Sequence, residues 1–206
     1  NSSALYLLGE IFYDGKYAPR DIEKSIYYLN LSAEQNNPDA LYLLGEIYYS
    51  GSYVKQEIDK SLYYLKLAAD KNNSNAMYIL GELYYTGLHI QQDIDKSLYY
   101  LKLSADKDNS NAQFLLGEIY YDGIYVSKDI NKAINYLKLS ANKNNSDAQC
   151  HLGQIFLDGK YVSQNIRQSV SYLLASSNQN HQSAQYLLGC IYYLGIEIPR
   201  DIAKSI

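Results

Sequence analysis

The residues with the greatest capacity for chemistry are two cysteines and a histidine late in the chain: Cys150, His151 and Cys190. Thiolates and imidazoles bind zinc and serve as nucleophiles. Successive helical residues point about 100° apart, so Cys150 and His151 are poorly placed to share a metal ion, and a closed zinc site needs a fourth ligand. A disulfide requires Cα atoms within about 7 Å, less than the usual spacing of packed helices. We therefore expect no metal, no disulfide and no catalytic cysteine.

Acidic and lysine residues also recur in pairs three residues apart. The pairs are Asp21 and Lys24, Glu57 and Lys60, Asp93 and Lys96, and Asp129 and Lys132. At the start of a helix a carboxylate is favoured by the helix dipole, and a lysine one turn later pairs with it. This spacing indicates helix capping. We expect no catalytic residues and no cofactor.

The positions of the glycines indicate the architecture, because all twelve fall in two rows of a 36-residue repeat. One row is Gly9, Gly45, Gly81, Gly117, Gly153 and Gly189, and the other is Gly15, Gly51, Gly87, Gly123, Gly159 and Gly195. A fixed period of this size is typical of stacked repeat arrays. We predict a single array over residues 1–206, a piece of a longer chain with its last unit truncated. The units start near Ala4, Ala40, Ala76, Ala112, Ala148 and Ala184.

The second unit shows what one repeat contains. Apolar residues recur at helical spacing over 40–49, Gly51 ends that helix, and a second helical pattern covers 58–70. The polar turn that follows offers Ser74 or Asn75 as the N-cap of the next unit. Gly45 lies mid-helix, where glycine costs about 1 kcal/mol relative to alanine, so we expect a close contact with the partner helix. The fold class is all-α: an α/α superhelix, or solenoid, of about six helix–turn–helix repeats.

A family pattern recurs in each unit. In the fourth unit it comprises Ala112, Leu116, Gly117, Tyr120, Gly123, Val126, Asp129, Lys132, Ala133, Tyr136 and Ala141. This pattern resembles the Sel-one-like repeat (SLR), a relative of the tetratricopeptide repeat. The resemblance implies a non-enzymatic adaptor or scaffold for protein–protein interaction. The alternative is a regulatory repeat module attached to a catalytic domain, such as a kinase.

The chain departs from that family at one position of the turn between the two helices. Many relatives have a second glycine there, whereas this chain has Tyr17, Tyr53, His89, Tyr125, Tyr161 and Glu197. We expect a bulkier and stiffer turn.

By similarity to tetratricopeptide arrays, the first helix of each unit should line a concave face. Three rows of that helix stand out on the side that we expect to be exposed. The acidic row is Glu10, Glu46, Glu82 and Glu118. The leading tyrosine row is Tyr6, Tyr42 and Tyr78, continued by Phe114, and the trailing tyrosine row is Tyr13, Tyr49, Tyr85 and Tyr121. These rows contain no lysine or arginine, and they predict a groove for a basic or aromatic-bearing peptide.

Three structural alternatives for the same rows remain open. The tyrosines can pack between repeats, the glutamates can form a solvated face, or they can pair with a lysine such as Lys60. The pattern also breaks late in the chain, at Cys150, Gln154, Leu157 and Cys190.

Composition limits the partners. A formal charge of -4 and an isoelectric point near 5.4 argue against nucleic acid, and no apolar run approaches the roughly 20 residues of a membrane span. Two cysteines favour a reducing compartment such as the cytoplasm. Glycosylation sequons leave a secretory route open; they begin at Asn1, Asn30, Asn72 and Asn144. The predicted partner is a protein or peptide, with a basic one favoured.

Overall fold

A computed structural model describes residues 1–195, and every regular element in that range is an α-helix. The helices are α1 (Ser2–Asp14), α2 (Ile22–Glu34), α3 (Pro38–Ser50), α4 (Ile58–Asp70), α5 (Ser74–Thr86), α6 (Ile94–Ala105), α7 (Ser110–Asp122), α8 (Ile130–Asn142), α9 (Ser146–Asp158), α10 (Ile166–Ser177) and α11 (Gln182–Leu194). The predicted all-α fold is confirmed. Glu197 and the second helix expected in the sixth unit lie outside the described residues.

The chain forms two compact units. The first, Asn1–Asn109, contains α1 to α6, and the second begins at Ser110 and contains α7 to α11. Within each unit, α-helices pair as hairpins, α1 with α2 and α7 with α8 for example. Successive hairpins of a unit then pack on each other, as α2 does on α3 and α8 on α9.

Glycine in the left-handed conformation ends the first helix of a hairpin, as the sequence predicts. Gly51 has φ 60°, and its N–H donates to the carbonyl of Ile47. Only glycine adopts this conformation without a steric penalty. The second helix then starts on a capping side chain: Asp93 accepts a hydrogen bond from the N–H of Lys96. Asp21, Asp129 and Asn165 do the same in their own repeats.

The predicted N-cap of the next unit is wrong by one or two residues. Asn73, rather than Ser74 or Asn75, caps α5, and its Oδ1 accepts from the N–H of Ala76 at 2.9 Å. The reason is the preceding residue. Asn72 takes up a left-handed conformation, with φ 68°, and the N–H of Asn73 donates to the Ala68 carbonyl of α4 at 3.0 Å, so the turn is closed at Asn73 and the new helix begins earlier.

In each hairpin that the structure describes, the glycine at the middle of the first helix lies directly against the second helix. A Cβ built on Gly45 would lie 2.7 Å from Leu65 Cγ, and Ser61 Oγ donates to the Gly45 carbonyl at 2.8 Å. The predicted close contact is therefore present. Leucines fill the core around it and are fully buried, among them Leu29, Leu44, Leu65, Leu80 and Leu101 in the first unit.

Candidate binding surface on the first helices

The acidic row of the first unit is held by hydroxyl groups of the leading tyrosine row. Tyr6 OH donates to Glu10 Oε1 at 2.8 Å, and Tyr78 OH donates to Glu82 Oε1 at 3.1 Å. Each pair joins residues four apart on one helix, which share a face. Burial raises the pKa of Tyr6, and its hydrogen bond to Glu10 raises it further. The Tyr6 hydroxyl therefore stays protonated and acts as a donor.

Tyr42 and Glu46 form the same kind of pair on α3. Burial raises the pKa of the Tyr42 hydroxyl, and the charge of Glu46 and a hydrogen bond to it raise it further. The three glutamates of the first unit are half-buried rather than fully exposed. They present ordered carboxylates with one hydrogen bond already made.

The trailing tyrosine row lies against the connecting turn of the next repeat. The rings of Tyr13 and Tyr53 meet edge to face, with centroids 6.0 Å apart, and Tyr49 meets His89 in the same way at 5.9 Å. Burial raises the pKa of Tyr13, and the charge of Glu46 adds to the shift. These tyrosines therefore pack between repeats, the first of the structural alternatives, and they are half-buried because the next turn covers them.

In the second unit the surroundings of the acidic row differ. Phe114 replaces the tyrosine that would donate to Glu118, and His151 Nδ1 lies 3.6 Å from Glu118 Oε1. Burial lowers the pKa of His151, so the ring is neutral at pH 7 and the approach is not an ion pair. Burial also raises the pKa of Glu118, and Asp122 and Asp147 add to it.

Tyr121, the last member of the trailing row, packs against two rings. It meets His151 at 4.8 Å and Tyr161 at 5.7 Å, both edge to face. Tyr161 belongs to the connecting turn of the next repeat, so this contact repeats that of Tyr13 with Tyr53.

A shallow depression of about 320 Å³ opens beside Glu118 on this face. Its walls come from α7, α9 and the start of α11, and they contain no lysine or arginine. The lining residues are Phe114, Glu118, Asp147, Cys150, His151, Gln154, His181 and Ser183. Its chemistry is acidic and partly aromatic, which suits a cationic group.

Cys150 and the acidic–lysine pairs, whose residue types could do chemistry, lie in surroundings that fit a structural role. Cys150 is buried, and burial raises the pKa of its thiol, which disfavours the nucleophilic thiolate. Among the described residues, no three His, Cys, Asp or Glu side chains are grouped so as to hold a metal ion.

Lys96 Nζ lies 2.8 Å from Asp93 Oδ2, as the capping interpretation predicts. Lys60 lies over the ring of Tyr48, at 3.9 Å, instead of pairing with the acidic row.

The connecting turn that has tyrosine where many relatives have glycine contacts the preceding repeat. Arg20 donates to Tyr53 OH at 2.6 Å, and its guanidinium carbon lies 4.7 Å from the centre of that ring. Lys128 Nζ contacts Tyr161 OH at 3.2 Å in the second unit. Tyrosine in place of glycine thus fills space at the turn and links it to the preceding repeat. The partners Arg20 and Lys128 could not be assigned from spacing alone.

Antiparallel hairpins of two helices, repeated every 36 residues with glycine at the closest approach, define a tetratricopeptide-like helical repeat protein. The sequence model of the Sel1 repeat matches residues 2–37, 38–73, 74–109, 110–145, 146–181 and 182–206. The chain belongs to the Sel1 repeat family.

Solved structures share this fold over the whole chain. A protective antigen of uropathogenic Escherichia coli strains is 26% identical, with a TM-score of 0.90; the match covers 100% of this chain and 44% of that one. A Sel1 repeat protein from Oxalobacter formigenes is 24% identical, with a TM-score of 0.94 and coverage of 100% and 84%. An immunity protein from Pseudomonas aeruginosa is 20% identical, with a TM-score of 0.63 and coverage of 99% and 75%. Among curated proteins, none matches the sequence.

Sel1 repeats are a non-catalytic repeat fold and generally act as protein-interaction modules. The comparisons give no support to a regulatory module attached to a catalytic domain. No helix in the described part of the chain combines the length and the apolar character needed to cross a membrane.

Proposed function

We propose that this chain is an interaction scaffold that binds a basic segment of a partner protein on the face of its first helices. The acidic row supplies the charge, with Glu10, Glu46 and Glu82 in the first unit and Glu118 in the second. The tyrosine rows supply aromatic surface beside each carboxylate. Sel1 repeats generally bind proteins, and the partner proposed here is a protein with a basic segment.

The observation that carries the proposal is the hydrogen bond from the leading tyrosine row to the acidic row. Tyr6 and Tyr78 fix the carboxylates of Glu10 and Glu82 in one orientation. A carboxylate held in place loses less conformational freedom when it binds a cation, and such preorganisation favours affinity. A second carboxylate oxygen of each glutamate is available to accept a bond from lysine or arginine.

Glu118 supports the proposal in a different way. Its carboxylate has no tyrosine donor on its own helix, because Phe114 stands at that position. It borders the depression of about 320 Å³, where a cationic side chain would satisfy its oxygens. Glu118 is therefore the member of the row that gains most from a basic partner.

Capture of partners from a lysate by the parent chain and by a variant tests the proposal. The variant carries Glu46→Gln, Glu82→Gln and Glu118→Gln. Single exposed ion pairs contribute about 0–1 kcal/mol, so three changes are made together. We expect captured partners to bind the variant more weakly at low salt and to lose most of their salt dependence.

A matched control removes the same number of charges from exposed positions of the second helices α2 and α4: Glu34→Gln, Asp59→Asn and Asp70→Asn. It should retain the partners that the parent captures. The urea midpoint of each variant should equal or exceed that of the parent chain. Partners that bind the triple glutamine variant as tightly as the parent at low salt would place the binding surface elsewhere.

A further inference from the structure

A histidine contacts each of the two carboxylates that border the depression on the second unit. His151 Nδ1 lies 3.6 Å from Glu118 Oε1, and His181 Nε2 lies 3.1 Å from Asp147 Oδ1. All four residues line the depression of about 320 Å³. With both rings neutral the carboxylates leave the depression negative, and with both rings protonated each carboxylate is balanced by an imidazolium. The charge of the depression therefore depends on the protonation of its two histidines.

The hydrogen bonds of His181 require a neutral ring. Its Nδ1 accepts from the N–H of Ala184 at 3.3 Å and so caps α11, which leaves the ring proton on Nε2 to donate to Asp147. A second proton would lie on Nδ1 and would turn this acceptor into a donor that faces another donor. It would also place a positive charge at the N-terminus of α11, which the helix dipole disfavours. Protonation thus exchanges the cap for a charged bond to Asp147.

Asparagine makes the same two hydrogen bonds at this position of other repeats. Asn73 Oδ1 caps α5, and its Nδ2 donates to Asp39 Oδ1 at 2.9 Å. Asn145 likewise caps α9 and donates to Asn111. Asparagine does not titrate, whereas histidine changes its charge between about pH 5 and 8. His181 therefore reproduces the geometry of these caps and makes it conditional on pH.

His151 is also an exception in its own row. Its ring meets Tyr121 edge to face at 4.8 Å, and this contact holds it beside Glu118. Burial lowers the pKa of His151, and the charge of Asp122 opposes the shift in part. The ring therefore takes up its proton in the acidic part of the range in which histidine titrates. In the other repeats the row has leucine or isoleucine, at Leu7, Leu43, Ile79, Leu115 and Leu187.

The carboxylates of the depression are more open to solvent than its imidazoles. The side chains of Glu118 and Asp147 are 40% and 57% exposed, compared with 19% and 20% for His151 and His181. A cation from solvent therefore reaches the carboxylates directly. α8 and α10, which also pack against α9, contribute no residue to this lining. The ionisable groups that face the histidines are Glu118, Tyr121 and Asp122 of α7 and Asp147 and Cys150 of α9.

We propose that the depression binds a lysine or arginine side chain of the basic segment in neutral solution and releases it in mild acid, when His151 and His181 become protonated. The inference rests on the function proposed above, because it names the regulation of that same face. In acid each imidazolium neutralises the carboxylate that the partner cation would use, and it also repels that cation. Losing two exposed ion pairs corresponds to a change of about tenfold in affinity.

The test measures the dissociation constant of a fluorescent tetra-arginine peptide by anisotropy, from about pH 8 to about pH 5. Arginine stays charged throughout, so any dependence on pH arises in the protein. The background chain carries Glu10→Gln, Glu46→Gln and Glu82→Gln, which neutralises the acidic row of the first unit. Circular dichroism at each pH checks that the chain stays folded. We expect the background to bind the peptide about tenfold more weakly at the acidic end.

In that background the double variant His151→Leu and His181→Asn should lose most of the dependence on pH. Both substitutions introduce the residue of the preceding repeats, as at Leu115 and Asn145. A weakening of up to about threefold should remain, because burial raises the pKa of Glu118 and its own protonation begins at the acidic end.

The matched control is His89→Tyr, which removes the third histidine of the chain. Tyrosine stands at this position in neighbouring turns, at Tyr53 and Tyr125. Because His89 does not line the depression, this variant should keep the full change of about tenfold.

Nuclear magnetic resonance follows the cap of α11 without any ligand. The amide signal of Ala184 should shift with the same midpoint as the ring signals of His181. The amide of Ala148, which Asn145 caps, should not follow that midpoint. A signal of Ala184 that is independent of His181 would overturn the role of this histidine.

The results separate this inference from the function on which it rests. Equal dependence on pH in the background and in the double variant would overturn the inference and leave the binding function in place. Peptide that binds the unaltered chain but not the background at pH 8 would place the basic segment on the first unit, and again only the inference would fail. If the unaltered chain does not bind the peptide at pH 8, both proposals are wrong.

Discussion

A Cβ built on Gly81 would lie 2.6 Å from Cγ of Leu101 and 3.2 Å from the Leu101 backbone nitrogen. Cβ atoms do not approach other heavy atoms this closely without a shift of one partner. The corresponding contacts of Gly9, Gly45, Gly117 and Gly153 with their own leucines are alike. The glycine row therefore sets the distance between the two helices of every described hairpin.

Gly81→Leu should destabilise the chain strongly. Overpacking typically costs about 1–3 kcal/mol, and part of the clash here is with backbone, which cannot rotate away. The urea midpoint measures the effect. Lys102→Leu is the matched control on an exposed position, where substitutions usually change stability by less than about 0.5 kcal/mol. Equal midpoints of the two variants would refute the close-contact role of the glycine.

Asn145 joins a helix cap to a contact between repeats. Its Oδ1 accepts from the N–H of Ala148 at 2.9 Å, and its Nδ2 donates to Asn111 Oδ1 at 3.2 Å. Asn145→Ala should cost about 1 kcal/mol, the usual contribution of an N-cap. Asn111→Ala removes only the exposed second bond and should cost about 0.5 kcal/mol, the lower end of the range for a hydrogen bond. Chemical denaturation gives both values, and a larger loss at Asn111 would contradict this order.

Asp93 should make stability depend on acid pH. The ammonium and the N–H of Lys96 hold the pKa of the Asp93 carboxyl below its usual range. The equivalent lysines lower the pKa of Asp21 and Asp129 in the same way. Because the folded pKa is lowered, this stabilisation is present above the unfolded pKa of about 3.9 and is lost as pH falls through the folded value.

Replacing the three aspartates by asparagine keeps a capping oxygen, as Asn165 shows in the fifth repeat. The variant should therefore have a shallower decline of the urea midpoint below about pH 4. Parallel declines of the parent and the variant would show that these carboxylates do not govern acid unfolding.

Sequence periodicity predicts this fold well because the glycine rows encode both helix ends and helix contacts. The role of Gly51 follows from its local backbone conformation, and the role of Gly45 follows from its lack of a side chain. The N-cap was misplaced because the paired Asn72 and Asn73 take different roles, a left-handed turn and a cap. Asparagine adopts both conformations readily, so the sequence does not distinguish them.

The candidate site was harder to predict from the sequence. The spacing of Tyr6 and Glu10 by four residues indicates a shared face, and their hydrogen bond follows from it. The cover of Tyr13 by Tyr53 depends on how repeats stack, which spacing within one repeat does not contain.

The effect of the Glu118 charge on folding stability shows whether this member of the acidic row stabilises the fold or weakens it. Burial raises the pKa of its carboxyl above the usual value, so the fold favours the protonated form. The stabilisation is complete below the unfolded pKa of about 4.3 and is lost as pH rises through the folded value. At pH 7 the carboxylate therefore weakens the fold.

Glu118→Gln keeps the shape and removes the charge, and the fifth repeat already has Gln154 at this position. We expect a gain of about 0.5 kcal/mol at pH 7, kept small because the side chain retains solvent contact. The gain should vanish below about pH 4, where Glu118 is protonated. Glu82→Gln is the control, because Tyr78 OH donates to that carboxylate, whereas Phe114 leaves Glu118 without such a donor on its own helix. Urea midpoints over pH 3–8 measure both variants, and a loss of stability for Glu118→Gln at pH 7 would show that this carboxylate supports the fold.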